Sequence, residues 1–551
     1  MDEFDFIIIG AGSAGCVLAD KLTAGGKHRV LVLEAGPNDN RFWINTPIGY
    51  GITYNDASIN WNYFCEPEKT LGGRSMYWPR GKVLGGSSSI NALVYHRGQA
   101  MDYDDWAAAG NPGWDYQNIR SVYDGLEDFS PHGATSQSQT QSSNNRGKSA
   151  ELRLSITNAF KDCHSIKTDL YGVFSQSGLP YCETPPLEGE GLGPYFITTR
   201  KGKRCSSATA FLHPAIKRPH LKILTQATVE KIIINDRRAE AVVCRYQGRE
   251  RRFLARREII VCTGAINSPK LLQLSGIGPG ELLHRFNIPV LIDQPNVGRH
   301  LQDHLGISYY YRANRPTLND VLGNWPGRIR SGLQYLLRRT GPLSLSVNQF
   351  GGLARSTPTS NKIDTQLYFN PVSYQPNADN ERKLTQPDPY SGFIMGFNAC
   401  RPSSTGWVNI ASPDPEVAPR MSGGYLSTQK DLDDVVAMAR LLGRIQDTKD
   451  LSSLLLEPPQ LDLSTMTDAN IIGDFQRRAT TVYHPCGTCR MGPKPDRAVV
   501  DAELRVHGIE ALRVVDASVF PNITSANTNA PTLMVAHRAA QMILATADRK
   551  P

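Results

Sequence analysis

The chain has 551 residues, too many for one ordinary core, so two or three domains are expected. Hydrophobic residues make up 40% and charged residues 20%, with 21 Tyr, 17 Phe and 7 Trp, a composition that excludes a largely disordered chain. The net charge of +8 draws on Arg245, Arg249, Arg251, Arg252, Arg256 and Arg257, read as the solvated face of a hairpin; with no nucleic-acid module beside them, no nucleic-acid partner is expected.

Apolar runs fall short of the ~20 residues that cross a bilayer, so no transmembrane segment is expected. The acidic opening residues lack the basic region and cleavage site of a signal peptide. Ten cysteines spread along the chain suit a reducing compartment, and a cytoplasmic location is expected.

In chain order, residues 5–9 are an apolar, β-branched run of the kind a doubly covered parallel strand requires. Gly10, Gly12 and Gly15 follow without a gap. Residues 16–22 read as a helix and residues 29–33 as a second parallel strand ending in Glu34. This is a complete strand–helix–strand unit with a GxGxxG fingerprint. Gly10 permits the tight turn, Gly12 lets the backbone approach a pyrophosphate, and Gly15 lets helix and strand pack closely. The pyrophosphate then lies at the helix N-terminus, and Glu34 stands where an acid binds ribose hydroxyls. The fingerprint fits FAD or NAD, and its place near the start of a long chain favours a flavin.

Residues 42–86 are rich in Trp, Pro and Gly, suggesting long ordered loops over a ligand. Within residues 80–92, Gly81, Gly85, Gly86 and Ser87 allow the backbone to lie flat on a planar ligand, and Asn91 offers a donor. The Ser/Gln/Asn-rich tract at 132–149 reads as a flexible surface excursion or lid. Strand signals resume at 221–224, 229–234, 241–245 and 258–262, followed by a third glycine-bearing segment at 264–278. Strands at 366–369, 392–397 and 407–410, with helices among them, mark a second domain. Residues 512–516 and 532–545 return to the first domain as a strand and a helix.

The expected fold class is α/β, a doubly wound Rossmann-like FAD/NAD(P)-binding domain plus a substrate domain with a mixed or antiparallel sheet and helices. The first domain takes residues 1–155, 201–307 and 478–551. The second takes 308–477, with an excursion from 156–200.

Residues 80–92 and 264–278 look like the two signatures of the glucose–methanol–choline (GMC) family of FAD oxidoreductases, and the similarity runs from residue 4 to about 545. Residues 484–492, 514–521 and 525–532 resemble its choline-dehydrogenase-like alcohol dehydrogenases. The resemblance implies oxidation of a small alcohol to an aldehyde or ketone by hydride transfer to flavin N5. Reoxidation would be by O2 or a quinone-type acceptor, with a dehydrogenase favoured. His484 matches the family's histidine beside N5, suited to take the hydroxyl proton, and Asn527 matches the partner position that orients the alkoxide.

The resemblance also distributes the cofactor. Ala14, Glu34 and Ala35 lie along the adenosine half, and the Val229 backbone reads adenine. Val83, Asn91, Ala92 and Val94 lie near the isoalloxazine. Asp516, Ala517, Asn529 and Thr532 lie near the ribityl chain and pyrimidine edge, with Thr532 opening the last helix. Ser13, Trp61, Gly81, Gly85, Gly86, Ser87, Leu93 and Thr528 complete the expected FAD site. Trp61, Tyr483 and Phe350 are further expected to line the substrate pocket. Some choline oxidases attach FAD through a histidine just before the asparagine of the GGxSSxN segment. Ile90 stands there in this chain, so dissociable FAD is expected.

Two other activities share parts of this pattern. Hydroxynitrile lyases have the same fold and flavin without redox chemistry, and an NAD-dependent dehydrogenase would share the fingerprint. Cys486 and Cys489 form a CxxC, and His300 and His304 an i, i+4 pair, but no metal is expected. The CxxC lacks further ligands, and the family carries a similar histidine loop without one.

Overall fold

The apolar run before the fingerprint forms β1 (Asp2–Ile9) and leads through a glycine turn into α1 (Ser13–Thr23) and β2 (Val30–Leu33) in the computed structural model, which describes residues 2–129, 153–374 and 385–547. β1 is buried from Phe6 to Ile9 and β2 throughout, as strands covered on both faces must be. The polar tract at 132–149 lies outside the described residues.

Further along come β3 (Gly191–Pro194), β4 (Leu221–Leu224), β5 (Ala227–Asn235), β6 (Arg238–Tyr246), β7 (Arg249–Val261) and α2 (Gly264–Leu274). They are followed by β8 (Leu305–Arg312), α3 (Trp325–Arg338), β9 (Phe350–Ala354), β10 (Thr365–Asn370), β11 (Gly392–Ala399) and α4 (Gln429–Gln446). The chain closes with β12 (Thr480–Thr481), β13 (Leu512–Val514) and α5 (Asn529–Ala547).

Two sheets carry the architecture. In the first, β4, β2, β1, β7 and β13 run parallel in that order. β7 is long enough to serve two sets of partners. Its first half pairs antiparallel with β6 and its second half parallel with β1 and β13. Ile9 sits opposite both Leu33 and Val261, and Val261 opposite Val514. Gly10, Glu34, Cys262 and Val515 therefore leave the sheet along one edge, the carboxyl edge where ligands of such sheets bind.

The β6–β7 turn carries the arginines. Arg249, Arg251 and Arg252 are exposed, Arg245 pairs with Glu230 at 2.6 Å, and Arg256 pairs with Glu3 at 2.8 Å.

The second sheet is antiparallel throughout, in the order β12, β8, β11, β10, β9, β3, with α4 packed on β11. It has its own core, built from Phe350, Phe369, Phe393 and Phe397 with Leu441 and Leu442 of α4. The strand expected at 407–410 forms over Gly406–Asn409 but joins neither sheet. It pairs with Arg299–Leu301 and Arg420–Ser422 and sits on α2. Gln273 of α2 draws it there, donating to the Val408 carbonyl (3.1 Å) and accepting from the Ile410 N–H (2.8 Å).

Among the described residues, no helix is long and apolar enough to cross a membrane.

Candidate active site

A cavity in two adjoining lobes opens at the carboxyl edge of the first sheet. Gly12, Trp61, Gly81, Gly86 and Asn267 line both lobes. Gly10, Glu34, Ala35 and Val229 line one. Ser13, Ala14, Ser87, Asn91, Ala92, Leu93 and Val94 line the other, and the chain's end brings His484, Asp516, Ala517, Asn527, Thr528, Asn529 and Thr532 to the same lobe.

Four of the expected residues do not line either lobe. Val83 is fully buried in a cluster with Ile44, Ile59 and Ile90 beneath the loop. Gly85 takes a turn conformation at φ +85, where a Cβ would meet the Ser89 hydroxyl, and so shapes the loop without reaching the cavity. Gly15 packs against the glycine turn, and Phe350 lies in the core of the second sheet.

The fingerprint glycines separate by what a side chain would strike. A Cβ at Gly10 would lie 2.6 Å from the Cys262 carbonyl oxygen, and one at Gly15 only 1.9 Å from that of Gly10. Packing of the protein alone requires both. A Cβ at Gly12 would meet nothing nearer than 3.8 Å. The fold leaves this space open, and a ligand lying against the loop accounts for the missing side chain.

Gly12 also N-caps α1 with no side-chain hydrogen bond and no acid in the first turn, so the helix presents its N–H groups to an anion. The Glu34 carboxylate accepts from the Ala11 and Gly36 N–H groups, each at 2.8 Å, and holds the turn closed. Burial pushes its carboxyl up to about 7, against those two donors. An uncapped helix, an open glycine and a buried acid fit the pyrophosphate and ribose of a dinucleotide.

Around the second glycine segment, Asn91 Oδ1 accepts from Arg204 (2.8 Å) and from the Leu93 N–H (3.1 Å), which directs its amide. Asp516 accepts from Gly264 N–H (2.8 Å) and Ser268 Oγ (2.6 Å), capping α2 at the cavity wall. α5 starts at Asn529, not at Thr532. Pro531 is tolerated in its first turn, and the Thr532 hydroxyl donates back to the Thr528 carbonyl at 2.7 Å.

His484 is held from three sides. Its N–H donates to Asp303 Oδ1 at 2.6 Å, and the carbonyl before it accepts from Arg80 at 2.8 Å. Tyr483 adopts φ +71, a strained conformation for a side-chain-bearing residue, which swings the next ring toward the cavity. Third, the ring's Nδ1 lies 2.9 Å from Nδ1 of His304, whose Nε2 lies 2.9 Å from the Cys400 carbonyl.

A carbonyl only accepts, so His304 carries its hydrogen on Nε2. Its Nδ1 then accepts, and His484 must donate from Nδ1. The lone pair of His484 is therefore on Nε2, 3.0 Å from Asn527 Nδ2, while Asn527 Oδ1 accepts from Gln366 at 3.3 Å. Burial, His304 and the Arg80 charge hold the His484 ring well below the usual imidazole range, and burial takes His304 down to about 4. The arrangement is a neutral imidazole with its basic nitrogen facing the cavity beside a carboxamide donor.

Arg80, Asp303, His304 and Gln366 escaped the sequence reading. The signal for His304 was present as the i, i+4 pair with His300. That spacing brings two rings together only on a helix. Here the segment is not helical, His300 sits at φ +60, and its ring turns instead to Asn296 at 3.2 Å. Cys486 and Cys489 are buried in the loop after His484.

The cavity thus fits a dinucleotide and meets an imidazole–carboxamide pair where the first sheet faces the antiparallel one. Comparison with known proteins gives the family. Profiles of the GMC oxidoreductase family match residues 4–306 and 402–536, and the chain belongs to this FAD-dependent family. It is 36% identical to an "alcohol dehydrogenase [acceptor]" of Pseudomonas putida, covering 99% of this chain and 96% of the relative. It is 37% identical to the mitochondrial choline dehydrogenase of Homo sapiens, covering 98% and 90%. Among solved structures, pyridoxine 4-oxidase from "Mesorbium loti" superposes with a TM-score of 0.84 at 28% identity over 98% of both chains. A formate oxidase superposes at 0.88 with 25% identity over 99% of this chain and 98% of its own.

Proposed function

We propose that this enzyme oxidises a neutral alcohol to its aldehyde or ketone, with His484 as general base and Asn527 orienting the alkoxide. The observation that carries the reading is the 3.0 Å contact between His484 Nε2 and Asn527 Nδ2 in the wall of the cavity. Bound FAD supplies the hydride acceptor. The residues of the chain do the rest. His484 Nε2 takes the hydroxyl proton, because oxygen must lose it for the carbinol C–H to leave as hydride. Asn527 Nδ2 carries two hydrogens, so it can donate to the alkoxide oxygen while its Oδ1 stays on Gln366. The β10 and β11 side of the cavity contributes Tyr368 and Asn398 to the wall that the substrate would meet.

The charge of the wall supports a neutral substrate. Among the described residues lining this lobe, Asp516 is the only carboxylate, and it is engaged by Gly264, Ser268 and Ser518. Arg80, lowered by burial to about 10, remains a cation at neutral pH and opposes a quaternary ammonium. FAD is held without a covalent bond at position 90, where Ile90 offers no nucleophile. The FAD-binding unit takes residues 1–155, 201–307 and 478–551 and the substrate unit 308–477, with 156–200 reaching across through β3. The acceptor that reoxidises the flavin is a quinone-type molecule or O2. The ten free thiols support a reducing, cytoplasmic setting.

The test is anaerobic mixing of the yellow holoenzyme with aliphatic, aromatic, sugar and amino alcohols. A neutral alcohol should bleach the flavin faster than choline does. A flavin that no alcohol bleaches points to lyase chemistry and refutes the reading.

A further inference from the structure

One helix turns its apolar side away from the protein. α3 buries Ser331 and Tyr335 against the body and packs its first turn on the short helix before it. Trp325, Ile329, Leu333, Leu336 and Leu337 are 75%, 58%, 54%, 54% and 81% exposed. At about 100° per residue, these five fall within a sector of roughly 120°, and Ser331 and Tyr335 lie on the far side of the helix. Phe42, with its ring 6.3 Å from that of Tyr335, packs on the body side of the helix and is itself 46% exposed. Helices normally bury such a stripe, and nothing among the described residues covers this one.

The charges beside it are of one sign. Arg330 stands just outside one border of the apolar sector. Arg328 lies about 60° beyond the other, its guanidinium over the Trp325 ring (5.9 Å) and donating to the Leu322 carbonyl, and Arg338 and Arg339 close the C-terminal end. Residues 325–339 contain no acid. None of the four arginines forms an ion pair among the described residues. An apolar face bordered by guanidinium groups matches the depth profile of an anionic bilayer surface, with acyl chains below and phosphates at the level of the cations. A second copy matches it less well, because a two-fold contact would set these arginines against their own equivalents.

We propose that α3 docks the enzyme on an anionic lipid surface, burying Trp325, Ile329, Leu333, Leu336 and Leu337 at the headgroup boundary with the flanking arginines on lipid phosphates. The face is connected to the cavity. The short helix Leu318–Leu322 packs on α3, and Leu318 shares a cluster with Tyr50, which lines the cavity.

The test uses FAD-loaded protein in flotation with vesicles of phosphatidylcholine alone or mixed with phosphatidylglycerol. The wild type should float with the phosphatidylglycerol vesicles, and less as salt rises. Leu333→Glu/Leu337→Glu should lower partitioning at least about tenfold with FAD content and Tm retained. Arg328→Glu/Arg330→Glu should lose the preference for phosphatidylglycerol. A wild type that stays at the bottom of the gradient, or variants that float as it does, overturns the proposal. So does a wild-type dimer that the leucine variant converts to monomer while neither binds vesicles, because the face then belongs to a second copy.

Discussion

His304 and His484, 180 positions apart in the chain, face each other through their Nδ1 atoms at 2.9 Å. A two-residue strand pairing arranges this. Leu305 of β8 lies opposite Thr481 of β12, and the next rung is the Val482 N–H on the His304 carbonyl at 3.0 Å. Asp303 ties the pair down, taking the His484 N–H on one oxygen and the Thr481 and Tyr425 hydroxyls on the other. The Cys400 carbonyl thus decides, through His304, which nitrogen of His484 is basic.

Loss of His304 should therefore act on the proton, not on the cofactor. His304→Phe should retain FAD and slow alcohol-driven flavin reduction by at least ~10-fold. His304→Asn, whose Oδ1 can stand where Nδ1 stood, should recover part of that loss. Nitrogen NMR of 15N-His protein reads the tautomer directly, and hydrogen on Nε2 of His484 in the wild type would sink the assignment.

Direct removal of the base should cost more. His484→Ala should bind FAD as the wild type does and slow reduction by ~100-fold or more, and Asn527→Ala should slow it by about tenfold to a hundredfold. Stopped-flow absorbance measures both. Near-normal reduction in His484→Ala would remove that residue from the mechanism and leave the tautomer of His484 as a purely structural matter.

The pH profile has a definite sign. Burial, His304 and Arg80 all disfavour the imidazolium of His484, so its base form is already populated at neutral pH. kcat/KM should be flat above pH 7 and fall on acidification, with an apparent pKa below the ordinary ~6.5. An acid limb centred above pH 7 would contradict this. The same burial makes the fold acid-sensitive. His96 and His304, both lowered to about 4, take up protons when unfolded that they refuse when folded, so Tm should drop as pH falls from about 6.5 toward 4.

The fingerprint glycines should fail in different ways. Gly15→Ala places a Cβ 1.9 Å from the Gly10 carbonyl oxygen and should cost about 2 kcal/mol of stability or more, seen as a lowered denaturation midpoint. Gly12→Ala has room for its Cβ in the protein, so it should fold with nearly unchanged Tm as apoprotein and lose FAD affinity at least ~10-fold. Equal FAD affinity in Gly12→Ala would place the dinucleotide elsewhere.

Ile90 makes a simple chemical prediction. Acid precipitation of the holoenzyme should leave the yellow colour in the supernatant, because no bond forms at that position. Colour that stays with the pellet would show attachment through another residue.

What the sequence determined by itself was whatever depends on near neighbours. The unit from β1 to Glu34 was legible because strand burial, a glycine turn and a helix start all leave marks within a few residues, whereas the roles expected at 80–94 and 514–532 came from the resemblance to the GMC family. Only the tertiary structure decided which distant groups touch. The 407–410 strand went to α2 because Gln273, far upstream, pairs with its edges. Phe350 entered a core, since alternation along a strand does not say which face a second sheet will cover. Val83 fell beneath its loop for a like reason. His304 became part of the site through a ring-to-ring hydrogen bond set up by the pairing of two strands, and α3 became a solvent-facing apolar helix because the residues it buries are Ser331 and Tyr335, not its apolar stripe. Backbone preference is set by a residue and its near neighbours, whereas proton position, burial and exposure depend on what the rest of the chain packs against.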